Sequence, residues 1–176
     1  MSAHILETAA AETLCFGYGD TALGTIVVAE SIRGIAALFI GDDRAKLLHN
    51  LKDAFPGVEL VLDQTGLAQT IAKATALVDA PHIAAGMTLD LRGSAVELAV
   101  WNALRAIPAG ETRTYGAIAK SLPMTATAQD VGAACAANRI AIAVPCHRVV
   151  KSDGSISGYR WGVQRKRRLI NMEGVA

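Results

Sequence analysis

The spacing of apolar residues changes between the two halves of this 176-residue chain, and the change limits the folds open to it. Before residue 80, short β-branched runs alternate with helical patterns, which predicts a small α/β unit. After residue 93 the pattern is largely helical. Residues 80–93, with Pro81, Gly86 and Gly93, are typical of a linker. We therefore expect two domains, at residues 1–85 and 93–176.

The first half is predicted to contain three strands and two helices. The strands are residues 25–30, 34–40 and 58–62, and the helices run from Asp42 to Phe55 and from Gly66 to Asp79. His49 and His82 have no partners nearby in the sequence that suggest a site, so we interpret them as solvent-facing or capping residues. No catalytic grouping is evident in this half.

The second half is predicted to contain a helix-turn-helix. Ser94 and Thr114 can each cap a helix, and Thr127 with Asp130 has the spacing of a capping box for a third helix, residues 128–138. Two short helices joined by a tight turn are typical of this motif. An apolar run at 140–144, a turn-rich loop at 151–158 and a last helix follow, which together indicate a winged-helix variant.

Charge divides the chain in the same place. Residues 1–97 hold 6 Lys or Arg and 12 Asp or Glu, whereas residues 98–176 hold 11 and 4. A basic half joined to an acidic half is the pattern expected when only one half meets a polyanion. Chance clustering of charges on a solvated face is the alternative.

Several classes of protein are disfavoured by composition. Three cysteines without a CxxC pair make a disulfide framework or a structural zinc site improbable. No apolar run is long enough to span a membrane. Residues 1–14 lack the basic head of a signal peptide. We therefore expect a cytoplasmic protein that contacts no membrane and holds no metal.

One short motif, around Cys146, contains a candidate catalytic nucleophile. The apolar run at 140–144 predicts a strand that stops at Pro145, and Cys146, His147 and Arg148 follow at once. A thiol beside an imidazole and a guanidinium lies in an electropositive setting, which favours the nucleophilic thiolate. A lone cysteine is more often a buried apolar residue, so the neighbours decide the interpretation.

These residues resemble the catalytic domain of the O6-alkylguanine-DNA alkyltransferases over roughly residues 93–173. The stretches that carry the resemblance are Gly110-Glu-Thr-Arg-Thr-Tyr115-Gly, Ala136-Ala-Asn138, Val144-Pro-Cys146-His-Arg-Val149-Val, Ser157-Gly-Tyr159 and Glu173. The sequence Ser157-Gly-Tyr-Arg-Trp-Gly162-Val is particularly similar to the C-terminal half of the bacterial adaptive-response members. The first half resembles the family's ribonuclease-H-like α/β domain more loosely.

The resemblance implies a single-use repair reaction without a cofactor. Cys146 would take the alkyl group from O6 of a damaged guanine, and O4-alkylthymine is a further candidate substrate. His147, acting through a water and oriented by Glu173, would remove the thiol proton. Asn138 would tie the helix-turn-helix to the active-site strand, and Tyr115 would help to protonate the leaving guanine.

The resemblance also implies where the base and the DNA would bind. Backbone groups of Val149, Tyr159 and Arg160 would line the base pocket, together with Ser157 and Gly158. The small-sided helix 128–138 would lie in the minor groove of double-stranded DNA, and the target base would leave the stack. The residues expected to contact DNA are Thr114, Tyr115, Gln129, Gly132, Ala133 and Arg139. A monomer is expected.

Two departures from the family pattern are visible. Gln129 stands where the family usually places an arginine that fills the gap left by the flipped base. Cys15 and Cys135 are too few for the zinc-bound cysteine cluster that the adaptive-response members carry in their N-terminal half. Two other functions remain open: a non-catalytic lesion-binding or regulatory module on the same fold, and a Cys/His hydrolase.

Overall fold

A small sheet and two helices form the first half in the computed structural model, which describes residues 11–83 and 86–174. The elements are β1 (Thr13–Thr21), β2 (Gly24–Ser31), β3 (Gly34–Gly41), α1 (Arg44–Ala54), β4 (Glu59–Leu62) and α2 (Ala68–Asp79). Residues 1–10, on which the signal-peptide interpretation mainly rests, lie outside the described residues, as do residues 84 and 85 of the predicted first domain.

The four strands are ordered β3-β2-β1-β4. The pairs β1–β2 and β2–β3 are antiparallel, as short hairpin connections require, while β4 joins β1 in parallel after the crossover through α1. Helix α1 packs against β2 and β3, and α2 packs against β1 and β2. The consecutive residues Val27 and Val28 of β2 are both fully buried, so the sheet is covered on both faces there.

Strand β1 has no counterpart in the sequence-based prediction. Its sequence contains Gly17 and Gly19, which weaken a strand and usually indicate a turn. The fold requires both, because a Cβ at Gly17 would lie 2.7 Å from Ile71 Cδ1 and one at Gly19 would lie 2.9 Å from Thr75 Oγ1. The two glycines therefore allow α2 to lie close against the strand.

The second half is mainly helical, with one very short parallel strand pair. Its elements are α3 (Ala95–Arg105), β5 (Arg113–Thr114), α4 (Tyr115–Ser121), α5 (Ala128–Ala137), a 3₁₀ helix (Cys146–Arg148), β6 (Val149–Val150) and α6 (Val163–Met172). The predicted capping box of Thr127 and Asp130 is confirmed at the start of α5. Ser94 caps α3 and Thr114 caps α4, also as predicted.

The predicted strand at 140–144 is wrong. Leu38 of β3 donates to Arg139 O and accepts from Ala141 N, each at 2.9 Å, and the chain then turns back on itself. Ile142 has a φ of 69°, a left-handed conformation that ends extended structure. Pro145 leads directly into the 3₁₀ helix, so Cys146 and His147 do not lie on an extended chain.

The two halves share one hydrophobic core. Phe39 of β3 packs against Trp161, with 6.4 Å between ring centroids. Arg165 of α6 donates to Leu23 O at 2.7 Å and to an Asp42 oxygen at 2.7 Å. Residues of the predicted linker are packed as well, since Asp90 is buried and hydrogen-bonded to Ser31. Among the described residues, no helix is long and apolar enough to cross a membrane.

Candidate active site

A cavity of about 430 Å³ opens above the 3₁₀ helix and contains the predicted nucleophile. Its walls come from α4, α5, the 3₁₀ helix and the loop before α6. The lining residues are Tyr115, Gly132, Cys135, Ala136, Cys146, Gly158, Tyr159 and Arg160. A larger groove of about 580 Å³ lies between α1 and Arg160, but no cysteine lines it.

The Cys146 side chain is at the floor of this cavity and is only 3% exposed. Its Sγ accepts a hydrogen bond from Asn138 Nδ2 at 3.1 Å and lies 3.8 Å from the carbonyl oxygen of Cys135. Burial, reinforced by the neighbouring Cys135 thiol, raises the pKa of Cys146 well above its usual value. The sequence-based expectation of a thiolate-favouring setting is therefore wrong for the resting protein.

Asn138 connects the end of α5 to the turn that carries the nucleophile. Its side-chain NH₂ donates to Val144 O at 3.0 Å as well as to Cys146 Sγ, and its Oδ1 accepts from Ile140 N at 2.8 Å. The residue is 1% exposed and also forms the C-cap of α5. All three side-chain contacts are made across the tight turn, which fixes the thiol relative to the helix.

A buried carboxylate holds both residues that follow the cysteine. Glu173 Oε1 lies 2.7 Å from His147 Nε2 and 2.8 Å from Arg148 Nη2. Arg148 gives its remaining donors to Glu173 and to backbone carbonyls, including Ile107 O at 2.8 Å. Arg148 thus neutralises the carboxylate. Burial alone would raise the pKa of Glu173, but hydrogen bonds from His147 and Arg148 lower it to about 2.

The His147 ring is poised to accept a proton. The side chain is fully buried, and burial lowers its pKa despite the adjacent Glu173 carboxylate. Because Glu173 is ionised at neutral pH, Nε2 carries the ring proton and donates it to that carboxylate. Nδ1 is then the unprotonated nitrogen, and it has no hydrogen-bond partner among the described residues. A neutral imidazole oriented in this way has a nitrogen that can accept a proton, as a general base does.

A second polar chain lies on another wall of the cavity. The hydroxyl groups of Tyr115 and Ser157 are hydrogen-bonded to each other, and Lys166 Nζ lies 3.3 Å from Ser157 Oγ. Lys166 is 1% exposed, and its Nζ lies 5.9 Å from the centre of the Tyr115 ring. Burial raises the pKa of Tyr115 and lowers that of Lys166.

Of the remaining residues predicted to form the base pocket, three line the cavity and Val149 does not. Gly158, Tyr159 and Arg160 line the cavity, and the Tyr159 hydroxyl is buried with no hydrogen-bond partner among the described residues. Arg160 Nη1 donates to Asn138 O at 2.6 Å. Val149 is fully buried, and its N–H donates to Cys146 O, so it does not line the cavity.

The predicted DNA-contacting residues fall into two groups. Gln129 and Ala133 are exposed on α5, and Gly132 reaches the cavity, where an added Cβ would meet nothing within 4 Å. Thr114 instead uses its hydroxyl to cap α4. The Arg139 guanidinium lies over the Phe55 ring, 5.2 Å from its centre. Gln129 and Ala133 are therefore open to solvent on α5, although neither lines the cavity.

Three features of the site were not predicted in the sequence analysis. Cys135 lines the cavity, Arg148 pairs with Glu173, and Lys166 contacts Ser157. Helical spacing from Gly132 could have placed Cys135 on the cavity face. The contacts of Arg148 and Lys166 join distant segments and leave no local signal. Among residues 11–83 and 86–174, no cluster of three His, Cys, Asp or Glu could hold a metal ion.

Comparison with known proteins finds relatives for most of this chain. Residues 95–175 match the family described as 6-O-methylguanine DNA methyltransferase, DNA binding domain. The inducible methylated-DNA--protein-cysteine methyltransferase of Bacillus subtilis is 34% identical, over 83% of this chain and 82% of that protein. The bifunctional transcriptional activator/DNA repair enzyme Ada of Escherichia coli is 41% identical over 90% of this chain. This chain spans only 45% of the length of Ada.

Solved structures share the fold. The O6-methylguanine methyltransferase of Mycobacterium tuberculosis superposes with a TM-score of 0.73 at 31% identity, covering 91% of this chain and 92% of that one. A structure of the M. tuberculosis protein in complex with DNA gives a TM-score of 0.73 at 30% identity, covering 90% of this chain and 92% of that one. The mixed α/β architecture, with a small sheet and a helical half, is common to them.

Proposed function

The chain belongs to the methylated-DNA--protein-cysteine methyltransferases, and from that membership we propose that it repairs O6-alkylguanine in DNA by moving the alkyl group to Cys146. One observation carries the proposal. The Cys146 thiol lies at the floor of a cavity, held by Asn138, and the next residue is a neutral histidine locked onto a buried carboxylate. A nucleophile and an oriented base at one cavity are the components that alkyl transfer needs.

The reaction begins with the thiol proton. Cys146 is protonated at rest because burial raises its pKa, so the attack requires a base. His147 Nδ1 takes the proton through a bridging water, and the resulting imidazolium is stabilised by the ionised Glu173 at Nε2. Arg148 keeps that carboxylate ionised and fixed in position. The charged state of His147 therefore forms next to a preorganised counter-charge.

Alkyl transfer follows in line. The thiolate of Cys146 forms a bond to the alkyl carbon, and the bond from that carbon to O6 breaks with its electron pair going to guanine. Tyr115, on the cavity wall, supplies a proton to the leaving base. Guanine returns to the DNA and the alkyl group stays on sulfur as a thioether. Water does not hydrolyse a thioether at neutral pH, so each protein molecule reacts once.

DNA is proposed to bind across α5. Three of the five exposed positions on this helix are alanine, the others being Gln129 and Asp130, and small side chains suit close approach to the minor groove of double-stranded DNA. The thiol is too buried to reach a stacked base, so the damaged nucleotide must turn out of the duplex into the cavity. Gln129 would then stand near the gap that the base leaves.

The same proposal includes the finer descriptions of the molecule. We assign the first half to a ribonuclease-H-like unit and the second to a winged-helix-like helix-turn-helix unit, with the boundary between residues 85 and 93. We also propose that the protein acts as a monomer in the cytoplasm. O4-alkylthymine is included as a second substrate because it also carries its alkyl group on an exocyclic oxygen of the base.

Reaction stoichiometry tests the function. With duplex DNA carrying O6-methylguanine in large excess, we expect methyl transfer to stop at one group per protein molecule. A hydrolase would instead release methanol or a modified base in repeated turnovers. A lesion-binding module would protect the DNA without removing the methyl group. Either result would refute the proposal.

A further inference from the structure

Lys166 is a buried cation without a buried anion to balance it. The side chain is 1% exposed, and it forms no ion pair with a carboxylate in residues 11–83 and 86–174. The Nζ contacts are Ser157 Oγ at 3.3 Å and Gly158 O at 3.5 Å. Burying a charge without a partner is costly. A position of this kind beside a cavity indicates that negative charge develops there during the reaction.

One of the hydrogen bonds between the three side chains has a fixed direction. An ammonium group has donors and no acceptor, so Ser157 Oγ accepts from Lys166. Ser157 keeps one proton to donate, and its other side-chain contact among the described residues is the Tyr115 hydroxyl, where either oxygen can be the donor. A charged Lys166 occupies an acceptor site of Ser157 and so favours donation from Ser157 to Tyr115. In that arrangement the Tyr115 proton is free to point into the cavity.

We propose that Lys166 and Ser157 are positioning residues that orient Tyr115 as the proton donor to the leaving guanine and replace the proton it gives up. The inference rests on the proposed function. Lys166 and Ser157 act through Tyr115 and need not touch the base themselves.

The proton transfers balance the alkyl transfer. The thiol proton of Cys146 goes to His147, the S–C bond forms, and the C–O bond breaks with its electron pair on guanine. Guanine takes the Tyr115 proton at a ring nitrogen, Tyr115 takes the Ser157 proton, and Ser157 takes one from Lys166. The sum is a neutral guanine, a thioether, an imidazolium at His147 and a neutral amine at Lys166. No other reactant is required.

Removal of the Ser157 hydroxyl breaks the chain without disturbing its ends. In Ser157→Ala we expect methyl transfer from O6-methylguanine in duplex DNA to slow about tenfold, a part of what general acid catalysis contributes. Ser157→Thr keeps a hydroxyl and should retain the wild-type rate. Ser155→Ala, at an exposed position in the same loop, is the matched control and should react like wild type. In a Tyr115→Phe background, Ser157→Ala should cause no further loss.

Alkylation by iodoacetamide distinguishes an effect on proton donation by Tyr115 from an effect on the reactivity of the Cys146 thiol. Iodide leaves without a proton, so Ser157→Ala and wild type should be alkylated at Cys146 at equal rates, as followed by peptide mapping. A matching loss with iodoacetamide would show that Ser157 acts on the thiol and would overturn the inference. Failure of the wild type to take a methyl group from DNA would instead refute the proposed function, so the two failures are distinguishable.

The pH dependence provides a readout that a purely structural role would not change. The titratable groups facing Lys166 are Tyr115 from α4, Cys135 from α5, and Cys146 and His147 from the 3₁₀ helix. These groups are present in both proteins, so their effects cancel in the ratio of the two rates. Burial lowers the pKa of Lys166. The advantage of wild type over Ser157→Ala should therefore fall toward one as pH rises through that pKa. A ratio that is constant with pH, or equal rates at neutral pH, would overturn the inference.

Discussion

At the scale of single residues, Cys146 shows how a thiol can be stored and then used. Burial keeps it protonated, and Asn138 donates a hydrogen bond to its Sγ. In the proposed mechanism, reactivity therefore depends on His147, and not on a resting thiolate. This arrangement suits a residue that reacts once, because an exposed thiolate would be consumed by other electrophiles before it met DNA.

Replacement of Asn138 by alanine tests how much its hydrogen bonds contribute to the stability of the fold. The change would leave Ile140 N without its partner in a buried site, whereas Val144 O would keep the hydrogen bond from Cys146 N. We expect the free energy of unfolding to fall by about 1–3 kcal/mol, the cost of one buried unpaired group. Denaturant titration measures this change, and the exposed Asn102→Ala on α3 is the control. A loss no larger than that of Asn102→Ala would contradict the account.

Stability should fall in acid because of His147 and Glu173. Both folded-state pKa values lie below the usual ones, 6.5 and 4.5, so each group contributes stability above its usual value that is lost as pH falls. For Glu173 the loss occurs between about 4.5 and about 2. It amounts to on the order of 2 kcal/mol after allowance for solvent screening.

Unfolding curves measured between pH 7 and pH 2 provide the check. In Glu173→Gln the decline below pH 4.5 should be shallower, while the exposed Glu111→Gln should follow wild type. The loss of Glu173 should also slow iodoacetamide alkylation of Cys146 at neutral pH, because His147 would lose its orienting partner. Identical alkylation profiles would remove Glu173 from the mechanism.

At the scale of elements, α5 combines two functions. One face packs on the core through Val131 and Ala134, and the other presents Gln129 and Ala133 to solvent. Arginine at position 129 would offer more hydrogen-bond donors to the base left unpaired by flipping, and its planar guanidinium could stack on the neighbouring bases.

We expect Gln129→Arg to speed repair in duplex DNA about fivefold. Unpairing a base costs a few kcal/mol, and a side chain that fills the gap recovers part of this cost.

Free O6-benzylguanine serves as the control for Gln129→Arg, because it needs no flipping and its reaction rate should barely change. The measurement is the second-order rate for both proteins on both substrates. Equal gains on duplex and free base would place residue 129 in the chemistry. No gain on duplex would show that another residue already fills the gap.

Most elements could be predicted from the sequence because their signals are local. Capping residues such as Thr127 and helical periodicity place α1 to α6 within a few residues. Strand β1 could not be predicted, because its glycines gain their meaning only from the approach of α2. The segment 140–144 has the composition of a strand, but it makes isolated bridges, between Ile140 and Leu38 of β3 and between Ala141 and Val144, and the chain turns at Ile142. Tertiary contacts decided both cases.

At the scale of the whole molecule, the site depends on segments that are far apart in the chain. Glu173 and Lys166 reach the cavity only because α6 packs back against the 3₁₀ helix. The sequence motif around Cys146 predicts the nucleophile and its base. It does not predict the contact between Lys166 and Ser157, because the sequence alone places this lysine on an ordinary amphipathic helix.

The charge division of the chain leads to a prediction for DNA binding. Phosphate neutralisation makes affinity fall with salt, with a slope of about 0.9 per phosphate contacted. The exposed Lys120 and Lys151 lie in the basic half, and the exposed Lys52 and Lys73 lie in the acidic half. Because the halves share a core, the test uses the whole chain. Changing Lys120 and Lys151 to Gln should reduce the salt slope by about two, and changing Lys52 and Lys73 should leave it unchanged. The opposite pattern would contradict the charge argument.

The central claim is that Cys146 is the alkyl acceptor, and mapping the methyl group tests it most directly. After reaction with duplex DNA that carries O6-methylguanine, the protein is digested, and the masses of the three peptides that contain cysteine are measured by mass spectrometry. We predict one added methyl group on the peptide that contains Cys146, none on those of Cys15 or Cys135, and no transfer to Cys146→Ser. A methyl group on Cys135, which lines the same cavity, or undiminished transfer in Cys146→Ser would contradict the account.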